Sequence, residues 1–146
     1  MDPISAAASA FKVGEMLGGL LFTNSVLTLL NETKYTISVA ICFGGVQNGY
    51  CGGWINLKPH SRWGREIEVS RFGTDVAIYG EGLSKKGKKF TWTGNCPFYV
   101  VHDGGFQIKG ARLKSAKLVS GNGTMSVVSG RLLQMSGDFT YRFTAN

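Results

Sequence analysis

Cysteine, proline, histidine and acidic side chains are all scarce in this chain of 146 residues: it has 3 Cys, 3 Pro, 2 His and 9 Asp plus Glu. Three cysteines are too few for a disulfide framework, so the fold must rest on a hydrophobic core, which a chain of this length can bury. Cys42 and Cys51 flank the glycine-rich CFGGVQNGYC and could pair, leaving Cys96 over; reduced, structural thiols are the expectation. His60 and His102 lie far apart, and no G-x-S-x-G, P-loop or H-E-x-x-H motif occurs. Short C-x-x-C or H-x-x-x-H pairs are missing too. No catalytic residue, no metal site and no cofactor is therefore expected. Glu66 and Glu68 read as a solvated strand face, and nothing selects Glu81 and Asp103 as a glycosidase pair. A spanning helix needs ~20 predominantly apolar residues. The best window, 13–30, is broken by Glu15, Asn24 and three glycines, so no spanning helix is expected.

What is abundant is glycine, at 21 residues, and positive charge, net +7. Hydrophobic content of 43% against 17% charged residues excludes a disordered chain. The charge suits anionic partners, and an anionic membrane surface is the expected one. Nucleic acid ranks low, because alternating aromatics with Lys/Arg-Gly are missing. The basic positions are Arg62, Arg65, Arg71, the KKGKK cluster at 85–89, and 112–117. Trp54, Trp63, Tyr79, Trp92, Phe98 and Tyr99 are interleaved with them. Most of these rings belong in a core. Trp63, between Arg62 and Gly64-Arg65, is the ring most readily placed on the surface. The candidate lipid- or ligand-binding set is Arg62, Trp63, Arg65, Arg71, Lys85, Lys86, Lys88, Lys89 and Trp92.

Residues 1–22 differ from the rest. A secretory signal begins with a basic stretch, whereas the first charge here is Asp2, and Lys12 and Glu15 interrupt the middle. The segment is expected to be an amphipathic helix, with Asp2 as N-cap and Pro3 in the first turn. At ~100° per residue, Ile4, Ala7, Phe11, Gly14, Leu17 and Leu21 share one side, opposite Ser5, Ser9, Lys12 and Glu15. Such a helix either packs on a sheet or enters a bilayer interface. In the second case Ile4, Phe11, Val13, Leu17, Leu20, Leu21 and Phe22 insert. A single lysine on the polar face counts against an interfacial helix.

From residue 23 the period changes to two. Tyr35, Ile37, Val39, Ile41 and Phe43 alternate with Thr36, Ser38, Ala40 and Cys42, which predicts a strand with one face in the core. Strands at 25–30 and 35–43 read as a hairpin about NETK. Further strands are expected at 53–57, 65–70, 74–80, 89–94, 97–102, 106–110, 112–120, 124–135 and 137–144, with a tight turn at GNG, 121–123. The fold class is mainly β, an antiparallel β-sandwich or barrel over 23–146, with one N-terminal amphipathic helix over 1–22.

Two resemblances follow from these residues. Asn31-Glu32-Thr33, Val39-Ala40-Ile41-Cys42-Phe43, Gly53-Trp54-Ile55, Ala77-Ile78-Tyr79-Gly80-Glu81, Trp92-Thr93-Gly94, Cys96 and Phe106-Gln107-Ile108-Lys109-Gly110 follow in order and approximate spacing. That order resembles a bacterial family of small domains of unknown function, over residues 28–110. It departs where Ile55 replaces the second Trp of the family's G-W-W. The resemblance implies a compact β fold and no activity. A small-residue amphipathic segment ahead of a basic β-sandwich also resembles the layout of actinoporin-type pore-forming proteins. That likeness implies a sandwich that binds lipid, a helix that detaches and inserts, and a homo-oligomer. The start MDPISAAASA resembles that of fungal cell-death and immune-receptor proteins. The expected protein is thus non-enzymatic and membrane-active, cytoplasmic or released without a secretory signal, and membrane-associated when active. The alternative is a soluble binding or assembly module whose helix is structural.

Overall fold

A computed structural model describes residues 24–44, 49–68, 75–110, 115–135 and 137–145. The expected helix over 4–22, its seven inserting side chains and Arg71 lie outside the described residues. Eleven strands are described: β1 (Asn24–Asn31), β2 (Ile37–Phe43), β3 (Tyr50–Leu57), β4 (Arg62–Glu68), β5 (Asp75–Leu83), β6 (Lys89–Trp92), β7 (Cys96–Val101), β8 (Phe106–Lys109), β9 (Lys117–Ser120), β10 (Met125–Gln134) and β11 (Phe139–Phe143). The protein is mainly β. Among the described residues no helix is long and apolar enough to cross a membrane.

A three-stranded sheet, β11-β1-β4, accompanies an eight-stranded sheet ordered β7-β10-β5-β2-β3-β8-β9, with β6 on β5. All pairings are antiparallel except β1 with β11. The long sheet curls: Trp54 Nε1 on β3 donates to the Val101 carbonyl on β7, 2.8 Å away, although β3 and β7 lie far apart in the strand order. Curling makes two cores. Ile37, Val39, Ile41 and Phe43 face the first, with Leu27, Leu29, Ile67 and Phe143 from the three-stranded sheet. Ala40 and Cys42 face the second, with Trp54, Phe98, Val100, Phe106 and Ile108.

Strand β2 therefore corrects the expectation of one buried face. It lies between two cores, so Ala40 and Cys42 are as inaccessible as its large residues, while Ser38 stays half-buried. Its pairing also differs from expectation. β1 and β2 form no hairpin, because β1 pairs with β4 and β11 in the other sheet. Leu27 and Leu29 can then cover the face of β2 that a hairpin would have left bare.

The register of β2 on β3 shifts between Val39, opposite Ile55, and Ile41, opposite Gly52. One extra residue on β3 is a bulge, and a one-residue slip moves side chains to the opposite face. Ile55 and Leu57 thus point into the first core while Cys51 points into the second, beside Cys42. The two cysteines face each other with Cα atoms 3.9 Å apart and form a disulfide, where reduced thiols were expected. Cys96 is free and buried in the same core.

GNG at 121–123 does turn the chain, with φ of 121° at Gly121 and 107° at Gly123. It joins no hairpin: β9 pairs with β8, and β10 with β7 and β5. β10 changes partner at Gly130, where a Cβ would lie 2.7 Å from Phe98 Cε1 and 2.9 Å from the Ile78 carbonyl oxygen. Only glycine allows that close approach.

Candidate functional site

Strand directions decide which side chains meet. β2 begins where β3 and β5 end, with Ile37 opposite Leu57 and Gly82. β1 and β11 end there too, and β4 and β6 begin there. The turns at 32–36, 58–61 and 84–88 are thus brought to one end of the molecule. They carry Lys34, Lys58, Lys85, Lys86 and Lys88, joined by Arg62, Lys89 and Arg142 at strand ends. Two of these cations are paired, Arg142 with Glu32 and Lys89 with Glu81.

Asn31 and Thr33 hold this end in shape. Asn31 is 1% exposed, and its Nδ2 donates to the carbonyls of Tyr35, Leu57 and Lys58 at 2.7, 3.0 and 3.1 Å. Its Oδ1 accepts from the Thr33 amide at 2.9 Å and the Thr33 hydroxyl at 2.7 Å. Five bonds satisfy one buried amide and fasten the 32–36 turn to the 58–61 turn. The N-x-T sequence at this position is a structural knot, and the amide that would carry a glycan is fully engaged.

That knot presents Tyr35 to Phe90. The two rings stack at 4.8 Å between centroids, with planes 22° apart. Lys34 Nζ lies 5.7 Å over Tyr35 and Lys88 Nζ 5.5 Å over Phe90, within cation–π range. Beside the stack runs an open groove of about 600 Å³, lined by Lys34, Tyr35, Thr36, Leu83, Ser84, Lys85 and Lys86. Leu83, at 63% exposure, is the most exposed large apolar side chain of the described residues. A second open groove, of about 420 Å³, shares Thr36 and Leu83 and adds Ser38, Glu81, Gly82 and Lys89.

Glu81 is the junction of a polar cluster. Its Oε2 accepts from the Tyr79 hydroxyl at 2.8 Å and lies 3.4 Å from Lys89 Nζ and 3.9 Å from His102 Nε2. His102 also packs on Trp54, 5.5 Å between centroids. Burial, then the hydrogen bond to Glu81, then the negative charge of Glu81 push the Tyr79 phenol well above its ordinary value of 10.0. Tyr79 is thus a fixed neutral donor. Sequence reading weighed Glu81 only as an unselected acid pair with Asp103 and missed this cluster. The alternation of β5 was the available signal, since it sets Tyr79 and Glu81 on one face.

Of the residues singled out in the sequence, Lys85, Lys86, Lys88 and Lys89 are exposed and come together at this end. Arg62 is exposed at the same end. Trp63 is half-buried and packs against the first core, which corrects its surface placement. Leu29, opposite Trp63 across the β1–β4 pair, belongs to that same core. Trp92 is also half-buried; its Nε1 donates to the Thr144 carbonyl at 2.9 Å and its ring meets Phe143 edge-on. Arg65 is half-buried, with a buried Nε that has no hydrogen-bond partner among the described residues. Tyr35, Phe90, Leu83 and Lys34 are the site residues that sequence reading missed. Among the described residues no group of three or more His, Cys, Asp or Glu side chains is placed to hold a metal ion.

Comparison with known proteins finds no matching family model, no matching curated protein and no matching solved structure.

Proposed function

We propose that this is a non-enzymatic, membrane-active β protein that docks on anionic phospholipid surfaces through its basic end. The observation that carries this reading is the groove edged by Lys34, Lys85 and Lys86 beside the Tyr35–Phe90 stack and exposed Leu83. Cations with amphipathic rings and one protruding aliphatic side chain suit the headgroup layer of a bilayer. Each lysine near such a surface contributes about 1 kcal/mol. The actinoporin-like layout supports the further step, in which residues 4–22 are a helix that inserts into the bilayer and the protein assembles as a homo-oligomeric pore.

A second reading, a soluble binding or assembly module, has its own observation. β1 runs from Asn24 to Asn31, and Asn31 is at the basic end. The seven steps from Asn24 to Asn31 rise roughly 23 Å, so Asn24 enters the fold at the opposite end. Docking by the lysines and insertion by residues 4–22 therefore start from opposite poles.

Two measurements on the full chain test this. In vesicle sedimentation, Lys85→Gln with Lys86→Gln is expected to weaken binding to anionic vesicles about thirtyfold and leave the negligible binding to neutral vesicles unchanged. Equal binding by the variant would overturn docking through this end. In dye release, Leu17→Asp with Leu21→Asp is expected to abolish leakage while binding persists. Binding without leakage by the unaltered chain would select the soluble-module reading of residues 4–22.

A further inference from the structure

The two grooves meet at Thr36 and Leu83, which line both, and are taken together as one trough, with Lys34, Lys85 and Lys86 in one lobe and Glu81, paired with Lys89, in the other. A surface built only to attract negative charge has no use for a carboxylate beside its lysines. Glu81 is nevertheless fixed there, with Tyr79, Lys89 and His102 all converging on Oε2 while Oε1 takes part in none of those contacts. An ionised carboxylate is an acceptor only, and its strong partners are hydroxyl and N–H donors. Ser38 and Thr36 add hydroxyls to the same lobe, and Ser38 Oγ is held 3.2 Å from Asn56 Oδ1. The lysine lobe accepts phosphate, the carboxylate lobe accepts ring hydroxyls, and each lobe falls within the usual size of a ligand site.

We infer that the trough recognises a phosphorylated cyclic polyol, an inositol-phosphate type of headgroup carried by a membrane lipid. This rests on the docking reading above and names the ligand of that surface. Phosphates would lie toward Lys34, Lys85 and Lys86, and the ring hydroxyls would donate to Glu81.

The test uses the full chain and phosphatidylcholine vesicles brought to matched charge with either phosphatidylserine or phosphatidylinositol bisphosphate. Binding to the inositide vesicles is expected to be about tenfold tighter, the weight of one charge-assisted hydrogen bond. Glu81→Gln should erase that advantage while leaving phosphatidylserine binding equal or stronger, because it removes a repelling charge. Ser38→Ala, a milder change in the same lobe, should reduce the advantage without the gain on phosphatidylserine. Equal affinity for the two vesicles overturns the polyol inference and leaves docking standing. So does a Glu81→Gln variant that strengthens both alike. No binding to either vesicle overturns docking itself. Calorimetry with soluble inositol hexakisphosphate separates the sources: binding of the soluble compound without vesicle binding keeps the ligand chemistry and overturns its membrane origin.

Discussion

Tyr35 in the 32–36 turn and Phe90 on β6 lie face to face, each ring with a lysine ammonium over it. Four residues, from the 32–36 turn, the β5–β6 connection and β6 itself, thereby act as one unit. Phe90→Ala removes the stack and one cation–π contact and is expected to cost about 1–2 kcal/mol, read from urea unfolding. The same variant should bind anionic vesicles more weakly, because Tyr35 and Lys34 lose their support. Phe90→Tyr should preserve both properties.

Asn31→Ala leaves three carbonyls and the Thr33 donors without their partner in a buried place. A loss of about 3 kcal/mol or more is expected, seen as a large drop in the urea midpoint. Thr33→Val should cost less, about 1–2 kcal/mol. Expression in a glycosylating host should leave Asn31 unmodified in folded protein, as peptide mass spectrometry would show.

The Cys42–Cys51 bridge closes a short loop, with a sequence separation of 9. Chain-entropy arguments give such a bridge about 2–3 kcal/mol. Cys42→Ser with Cys51→Ser should lower stability by that amount. Alkylation in denaturant should add one label before reduction, at Cys96, and three after it. Three labels without reduction would show that the pair is not formed in the isolated protein.

Tyr79 sets a pH limit. Its folded-state pKa is raised above the ordinary 10.0 by burial and by Glu81, so the unfolded chain ionises first. Its contribution to stability is fully present below about pH 10 and is lost as pH rises from there through the folded value. Tyr141, raised by burial against the opposing pull of Arg131, acts in the same direction. Urea midpoints measured above pH 10 should fall, and Tyr79→Phe should flatten part of that fall. An unchanged slope in Tyr79→Phe would assign the loss to other groups.

The sequence made the strands legible and their partners much less so. Period-two alternation located β2 because its large residues all go to one core. It understated β2, since alanine and cysteine on the second face do not look like a core until another layer covers them. It misplaced β1, since adjacency in sequence suggests a hairpin and gives no sign of a partner such as β11. The KKGKK cluster was visible as charge. Its aromatic neighbours were not, because Tyr35 and Phe90 meet only once the Asn31 knot has shaped the 32–36 turn and β6 has paired with β5 beside it. Trp63 and Trp92 mislead for the opposite reason: basic neighbours in sequence say nothing about the direction of a ring across a strand.

The parallel pairing of β1 with β11 has a consequence for how the molecule is made. β1 is the first strand described and β11 the last, and Phe143 completes the first core. During synthesis the edge of β1 that takes β11 stays open until residues 139–143 have emerged. Such long-range closure folds slowly and leaves an apolar strand edge accessible in the meantime. Loss of β11 would leave that edge permanently open and the first core without Phe143.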